Sequence, residues 1–420
     1  MVWDLVVVGA GAAGLLAASR AAERGQRVLV LEKNAKPGVK ILMSGGNRCN
    51  LTHDTDARGI VAAFGPPGKF LHSALAALGP RELVDLFEAE GVPTKVEATG
   101  KIFPVSNKAA DVLQALQRRL ERSGATLALR TPLLDWERGA AGWRLHTGQG
   151  TLETAAVLLT TGGQSYPGCG TTGDGYRLAA KLGHTIVPPR PALVPLTSPA
   201  DWVPDLAGLT ISDVSLQVVD PSVPARPRAA DRGSFLFTHA GFSGPVVLNV
   251  SRAVSAEADP TRLHLLADWL PGAPLAELTA ALDGAARDSG KKTAAGWVSE
   301  WLPRRLAVVL VRQAGVPSER RLAELSRPQR HALLQGIKAM PLPISGTLGF
   351  AKAEVTAGGI ALAEVDSRTM ASRRVPGLFL AGEVLDLDGP IGGYNFQAAF
   401  STGWLAAESV TGAFARRPAL

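Results

Sequence analysis

Over roughly the first 190 residues, short unbroken apolar runs alternate with stretches of helical period. Leu5-Val6-Val7-Val8 is the first run, and it breaks into Gly9-Ala10-Gly11-Ala12-Ala13-Gly14 ahead of an Ala/Leu-rich helix that ends at Gly25. Val28 to Leu31 is the second, closed by Glu32. A strand that is apolar at every position is one buried on both faces, as in a parallel sheet covered by helices. The spacing next predicts helices over 69–78 and 80–90, a hairpin turning at Thr99-Gly100, and a helix with Val112, Leu113, Leu116 and Leu120 on one face. Ser106 or Asn107 should cap that last helix and Gly124 should close it. Strands follow at 127–134 and 143–146, then a fully apolar one at 155–160 that runs into Thr161-Gly162-Gly163 and a helix begun at Thr171-Thr172-Gly173-Asp174-Gly175. Prolines then cluster between Pro188 and Pro204, and period-two alternation takes over at 214–219 and 234–238. Helical stretches are expected at 275–286, 294–311 and 327–337, before a last apolar strand ends in Gly382-Glu383 and a Gly-rich turn opens a helix over 394–410.

The glycines carry the first chemistry. In Gly-x-Gly-x-x-Gly between a strand and a helix, Gly9 permits the turn, Gly11 lets the backbone approach a pyrophosphate, and Gly14 lets helix and strand pack closely. The free N–H groups of Ala12 and Ala13 then face phosphate. Glu32 stands where a carboxylate accepts from ribose hydroxyls, with Lys33 beside it, which favours FAD or NAD over a 2′-phosphorylated dinucleotide. The polar loop that follows, with Lys40, Ser44, Gly45, Gly46, Arg48, Cys49, Asn50 and Thr52, can offer N–H groups to a flat polar ring. Arg48 or Lys40 can balance an anionic reduced flavin, and Cys49 reads as a packing thiol. Thr161, Gly162, Gly163 and Asp174 form a second sheet end facing the ligand, and Leu133, in the strand before it, is counted with this set. Near the C-terminus, Gly382 and Glu383 suit a ribitol hydroxyl, and Gly392, Gly393, Tyr394, Asn395 and Gln397 begin a helix beside them. NAD has no ribitol, so the cofactor expected is FAD.

Composition narrows the picture further. The 420 residues suggest two or three domains, and the net charge of +7 comes from basic pairs at intervals, with no long basic run, which reads as a solvated surface. With aromatic residues at 5% and no nucleic-acid motif, a small-molecule substrate is expected and a nucleic-acid partner is not. Two remote cysteines support neither a disulfide framework nor a metal site, and with no signal segment or membrane-length apolar run a reducing cytoplasm is expected.

These motifs resemble those of the BaiN/YhiN-like flavoproteins, also labelled aminoacetone oxidase family FAD-binding enzymes, within the glutathione-reductase and fumarate-reductase-like superfamily. The resemblance is carried by GAGAAG, KILMSGGNRCNLT, TTGGQSYPGCGTTGDGY, FTHAGFSGP, AEVTAGGIALAEVD and GLFLAGEVLDLDGPIGGYNFQAAFSTG, and it spans nearly the whole chain. It implies an α/β, Rossmann-like FAD domain over 1–189 and 343–420, interrupted by a β-barrel-like domain at 190–271 and a helical segment at 272–342. Asn47 departs from the glycine usual in the SGGGRCN loop, and asparagine tolerates the left-handed backbone that loop needs. The resemblance places His239 near the flavin face, as a hydrogen-bonded structural residue or a proton donor; Tyr394, with Asn395 at a helix start beside Glu383, is read from the residues as a flavin or substrate contact and is the second catalytic candidate. The activity implied is hydride transfer between a small organic substrate and flavin. An amine oxidase using dioxygen is the alternative, and an RNA-modifying or non-catalytic flavoprotein comes after it. Only one fingerprint is found and FAD takes it, so NAD(P)H is expected as a transient donor at the flavin face.

Overall fold

A computed structural model describes residues 3–139, 142–223, 226–288 and 291–415. It divides into two compact units, Met1–Pro191 with Ala353–Leu420, and Ala192–Lys352.

The first unit is built on a parallel sheet whose central strand is β1 (Trp3–Val8). On one side lies β2 (Val28–Leu31), paired in register Leu5↔Val28 to Val8↔Leu31, and on the other the strand Gly150–Leu159. Leu5, Val7, Val28 and Val30 pack into one cluster and Val6, Val8, Leu29 and Leu31 into another, so both faces of the sheet are covered. That double burial is why the sequence is apolar at every position, each such side chain contributing roughly 1.5–3 kcal/mol of transfer free energy. Gly150–Leu159 changes partners along its length. Its first half pairs antiparallel with Trp143–Thr147, and its second half lies parallel between β1 and the late strand Leu378–Leu380. β1 is therefore flanked by β2 on one side and by Gly150–Leu159 on the other, the kind of strand order at whose carboxyl ends α/β folds bind ligands. Helix α1 (Ala12–Glu23) follows β1, and the C-terminal helix Tyr394–Ala415 packs on α1.

Several local expectations change. The polar stretch after β2 is not all loop: Val39–Asn47 forms a helix, α2, broken by non-helical backbone at Ser44, Gly45 and Gly46. Lys108, not Ser106 or Asn107, is the N-cap of Ala109–Ser123, and no side chain caps it. The stretch 127–134 is two strands, Thr126–Ala128 and Leu133–Arg138, with Arg130 between them at φ 53°. The helix expected over 69–78 is a 3-10 turn, Pro66–Leu71, followed by His72–Ala77. Pro303 divides the stretch 294–311 into Ala294–Val298 and Arg304–Gln313 because its ring cannot continue a helix from within.

In the second unit a seven-stranded antiparallel path runs from Met340–Leu342 through His264–Asp268, Thr210–Val219, Ala229–Phe237, Gly241–Ser243 and Leu196–Thr197 to Gly346–Thr347. Its two end strands are separated in sequence only by residues 343–345, so the edges of the sheet come together as in a barrel. Phe235, Phe237 and Trp269 share one cluster with Trp297, Leu306, Leu310 and Leu333. The helices from 275 onward thus close the same core as the strands, and the two do not form separate bodies. No helix among the described residues is long and apolar enough to cross a membrane.

Candidate active site

The glycine turn lies where β1 ends. Gly9 has φ 105°, and a Cβ there would stand 2.6 Å from the Thr160 carbonyl oxygen. At Gly14 it would stand 1.9 Å from the Gly9 carbonyl oxygen, so both glycines are needed for packing between strand and helix. Gly11 differs: a Cβ added there meets nothing within 4 Å. It is the N-cap of α1 and carries no capping side chain, so the N–H groups of Ala12 and Ala13 are not capped by it. Gly11 therefore has the position expected of a residue that keeps the approach clear for a phosphate.

Glu32 is 8% exposed at the end of β2. Its Oε2 accepts from the Ala10 N–H at 2.9 Å and its Oε1 from the Asn34 N–H at 2.8 Å, which fixes the carboxylate against the glycine turn. Lys33 donates to Thr172 Oγ1 at 2.7 Å and pairs with Asp174. Burial resists ionisation of Asp174, but the Lys33 hydrogen bond prevails and holds its carboxyl below the usual range. Thr161 follows the Thr160 end of the neighbouring strand, and its buried Oγ1 has no partner among the described residues. Gly162 has φ 71°, and a Cβ at Gly163 would strike Thr356 Oγ1.

A second set of contacts joins segments far apart in sequence. Glu383 Oε1 accepts from the Thr356 N–H at 2.8 Å and from Ser165 Oγ at 2.9 Å, while Oε2 pairs with Lys40, whose Nζ also reaches Ser165 Oγ at 2.7 Å. Lys40 is thus already neutralised by a carboxylate. Arg48 is also engaged: it donates to Glu97 at 2.6 Å and to the Gly45 carbonyl, and lies 4.0 Å over the Phe103 ring. Neither is a free cation waiting for an anionic flavin. Glu354 faces Lys40, Lys101 and Tyr166, and burial raises its carboxyl despite the two lysines.

Between these sets runs the bend at 44–50. Gly45, Gly46, Asn47 and Cys49 all have positive φ, Asn47 at 65°, so asparagine does adopt the left-handed backbone of this loop. Cys49 is fully buried, and burial pushes its thiol up to about 12 despite a hydrogen bond with Ser44, so it is a packing thiol and not a redox one. The Asn50 amide, turned to satisfy both ends, donates to the Thr52 and Ile102 carbonyls and accepts from Gly393 N–H at 2.9 Å. This ties the bend to the start of the C-terminal helix. Gly382 has φ 77°, and Gly393, at φ 92°, has no room for a Cβ beside the Thr52 carbonyl. Gly392 receives His53 Nδ1 on its carbonyl, and the His53 ring stacks on Tyr394 at 4.8 Å. Burial keeps the Tyr394 phenol protonated, and its hydroxyl has no hydrogen-bond partner among the described residues.

Three candidates are placed otherwise than expected. Gln397 is fully buried and donates to the Leu78 carbonyl and Ser401, a tie within the core. Leu133 is 7% exposed in a hydrophobic cluster, so its side chain serves packing. His239 lies in the second unit, exposed and without a hydrogen bond among the described residues, which overturns the expected structural tie. Asn395 holds the turn before its helix, accepting from Gly389 N–H and donating to the Gly389 carbonyl. Residues missed at the sequence level are Ser165, Thr356, Glu354 and His53. Two quoted motifs contain the first three, but only contacts across about 190 residues single them out.

The open approach at Gly11, the anchored Glu32 and the hydroxyls of Thr161 and Thr52, without partners among the described residues, fit a set of residues that would hold an FAD. Comparison with known proteins agrees. The family model described as HI0933-like protein Rossmann domain matches residues 3–409. A ribosomal RNA dihydrouridine synthase of Escherichia coli (strain K12) is 32% identical over 414 residues, covering 98% of each chain. A 3-dehydro-bile acid delta(4,6)-reductase of Clostridium scindens is 30% identical, covering 95% of this chain and 97% of that one. Among solved structures, 3-ketosteroid delta1-dehydrogenase from Sterolibacterium denitrificans is similar in fold, with a TM-score of 0.53 at 15% identity over 98% of this chain and 100% of that one.

Proposed function

Because the chain belongs to the HI0933-like Rossmann family of FAD-dependent oxidoreductases, we propose that it reduces a carbon–carbon double bond conjugated to a carbonyl, and that this bond lies in a uracil ring of ribosomal RNA. The observation that carries the reading is the full-length likeness to two enzymes whose named substrates look unrelated. Dihydrouridine is uridine with its ring double bond saturated, and that bond is conjugated to a ring carbonyl. A 3-dehydro delta(4,6) bile acid carries its double bonds in conjugation with a ketone. The shared chemistry is the addition of a hydride to the carbon far from the carbonyl and of a proton to the carbon next to it.

When bound and reduced, FAD would supply the hydride, and the chain's part is to position the substrate and provide the proton. Glu32, the glycine turn and Thr161, with the backbone at 44–52, are the groups that would hold FAD. Tyr394, its phenol kept protonated and its hydroxyl unengaged, is the acid we assign to the proton, with its ring oriented by His53. NAD(P)H is the assigned electron source for the flavin. A small conjugated ketone is the second reading, favoured by the bile-acid relative.

The test uses the FAD-loaded protein reduced anaerobically and mixed with ribosomal RNA transcripts. Reoxidation of the flavin together with dihydrouridine found by mass spectrometry supports the reading. Reoxidation by small enones alone selects the second reading, and oxygen uptake driven by aminoacetone in place of either would sink both. Tyr394→Phe should slow the step about 100-fold while leaving FAD bound, the loss typical of a removed general acid.

A further inference from the structure

The second unit gathers its surplus of positive charge in one short stretch, the rest of the unit being slightly acidic. Residues 291–328 hold eight Lys and Arg against three Glu, a surplus of five within a total of +7. Pairs that are separate in sequence come together in space. The backbone around Thr293 lies antiparallel to Arg321, with Ala294 N–H bonded to the Arg320 carbonyl and Leu322 N–H to the Lys292 carbonyl. Lys292 then pairs with Glu300, the neighbour of Trp301, and Arg304 begins the next helix three residues on. The basic pairs at 291–292 and 320–321, expected to be an ordinary solvated face, therefore meet in space, and Lys292 links them through Glu300 to the segment that carries Trp301 and Arg304; we take these together as a strip.

Three properties separate the strip from ordinary surface. Lys291, Arg304, Arg312 and Arg321 are exposed and have neither an ion pair nor a side-chain hydrogen bond among the described residues, so their charge is not spent within the fold. Arg304 occupies the first turn of Arg304–Gln313, where the helix dipole opposes a cation and no acid offsets it, whereas its neighbour Arg305 is tied to the Asp205 and Ala207 carbonyls. Trp301 is 43% exposed, yet it is held edge-on at 4.7 Å and 88° by Trp297, which is 1% exposed. Folding alone asks for none of these. A fixed, open aromatic ring among unpaired cations is what a single-stranded nucleic acid needs, with bases stacking on the ring and phosphates meeting the guanidinium groups.

We propose that this strip is an RNA-docking surface, with Lys291, Arg304, Arg312 and Arg321 contacting phosphates and Trp301 stacking on an unpaired base. The proposal rests on the reading that ribosomal RNA is the substrate. It assigns capture of the polymer to the second unit and leaves the reduction to the FAD site of the first.

The experiment titrates the FAD-loaded protein with a fluorescent ribosomal RNA transcript at several salt concentrations, and measures dihydrouridine formation in parallel. Replacing Arg304 and Arg321 by Ala should weaken binding at low salt and lower the slope of log affinity against log salt by about 1.5, since each phosphate contact contributes roughly 0.7–0.9. Trp301→Ala should weaken binding about tenfold with the slope unchanged, as the loss of one stacked base does. Retained FAD and an unchanged rate of flavin reduction by NADPH show that the variants are folded. If the wild type modifies RNA and the variants bind it equally well, the docking surface is overturned while the functional reading stands. Binding through the strip without any dihydrouridine would do the reverse. Binding of anionic lipid vesicles or of an acidic protein in place of RNA overturns the proposal.

Discussion

Both oxygens of Glu32 already hold N–H groups of their own chain, those of Ala10 and Asn34, so the carboxylate is oriented before any ligand arrives. Each oxygen keeps a further lone pair for a ribose hydroxyl. Glu32→Ala should therefore lose a charge-assisted hydrogen bond and some order in the glycine turn, weakening FAD by about 1–3 kcal/mol. Titration of the apoprotein with FAD, followed by flavin fluorescence, measures this, and wild-type affinity would remove Glu32 from the ribose site. The neighbouring glycines should separate folding from binding. Gly14→Ala forces a Cβ to within 1.9 Å of the Gly9 carbonyl oxygen and should leave the protein insoluble or melting well below the wild type. Gly11→Ala enters open space, so thermal unfolding of the apoprotein should be near normal while the purified protein holds little FAD.

Cys49 bears on stability in alkali. Its thiol is raised from 9.0 to about 12 in the folded state, so folding favours the protonated form. That contribution is complete below the unfolded value and is lost as pH rises from about 9 toward 12. Urea unfolding should lose stability across this range, and Cys49→Ala should flatten the decline even if it lowers stability at neutral pH.

At the scale of elements, what the sequence reveals depends on whether the determining contacts are local. The apolar runs of β1 and β2 are legible because burial on both faces leaves no polar position. The hairpin at Thr99-Gly100 is legible because a turn advertises its own residues, and Gly100 does have φ 76°. The helical part of the bend at 39–47 is hidden, because its three glycine and serine breaks resemble loop composition. The cap at Lys108 is hidden for the opposite reason: Ser106, a good capping residue, spends its hydroxyl on the Lys108 N–H in a turn of its own. In the candidate site, Glu32 and the glycines are legible from spacing alone. The links from Lys40 to Ser165 and Glu383 are not, since no periodicity relates positions 125 and 343 residues apart. Lys40 and Arg48, expected to be free for an anionic ring, instead have carboxylate partners that only the fold brings near.

At the scale of the whole molecule, one fingerprint serves one dinucleotide. With FAD in it, NAD(P)H has no Rossmann domain of its own and should meet the flavin transiently, where substrate must also come. Initial rates at varied NADPH and substrate should give parallel lines, as in a ping-pong mechanism. Intersecting lines would require both to be bound together and a separate nicotinamide site.

The first unit is also discontinuous: the chain leaves it after Pro191 and returns at Ala353, bringing Leu378–Leu380, Glu383 and the helix packed on α1. Gly403 of that helix sits against the Ala13 backbone, beside the turn that greets phosphate. At about 5–20 residues per second, a ribosome needs on the order of 8–30 s to add the intervening second unit. During that interval β1 and its neighbour stand without their closing strand and helix. Closure of the glycine turn therefore waits for Leu378–Leu380 and for the helix Tyr394–Ala415, and a nascent chain cut before Tyr394 has a fingerprint without the helix that packs on α1.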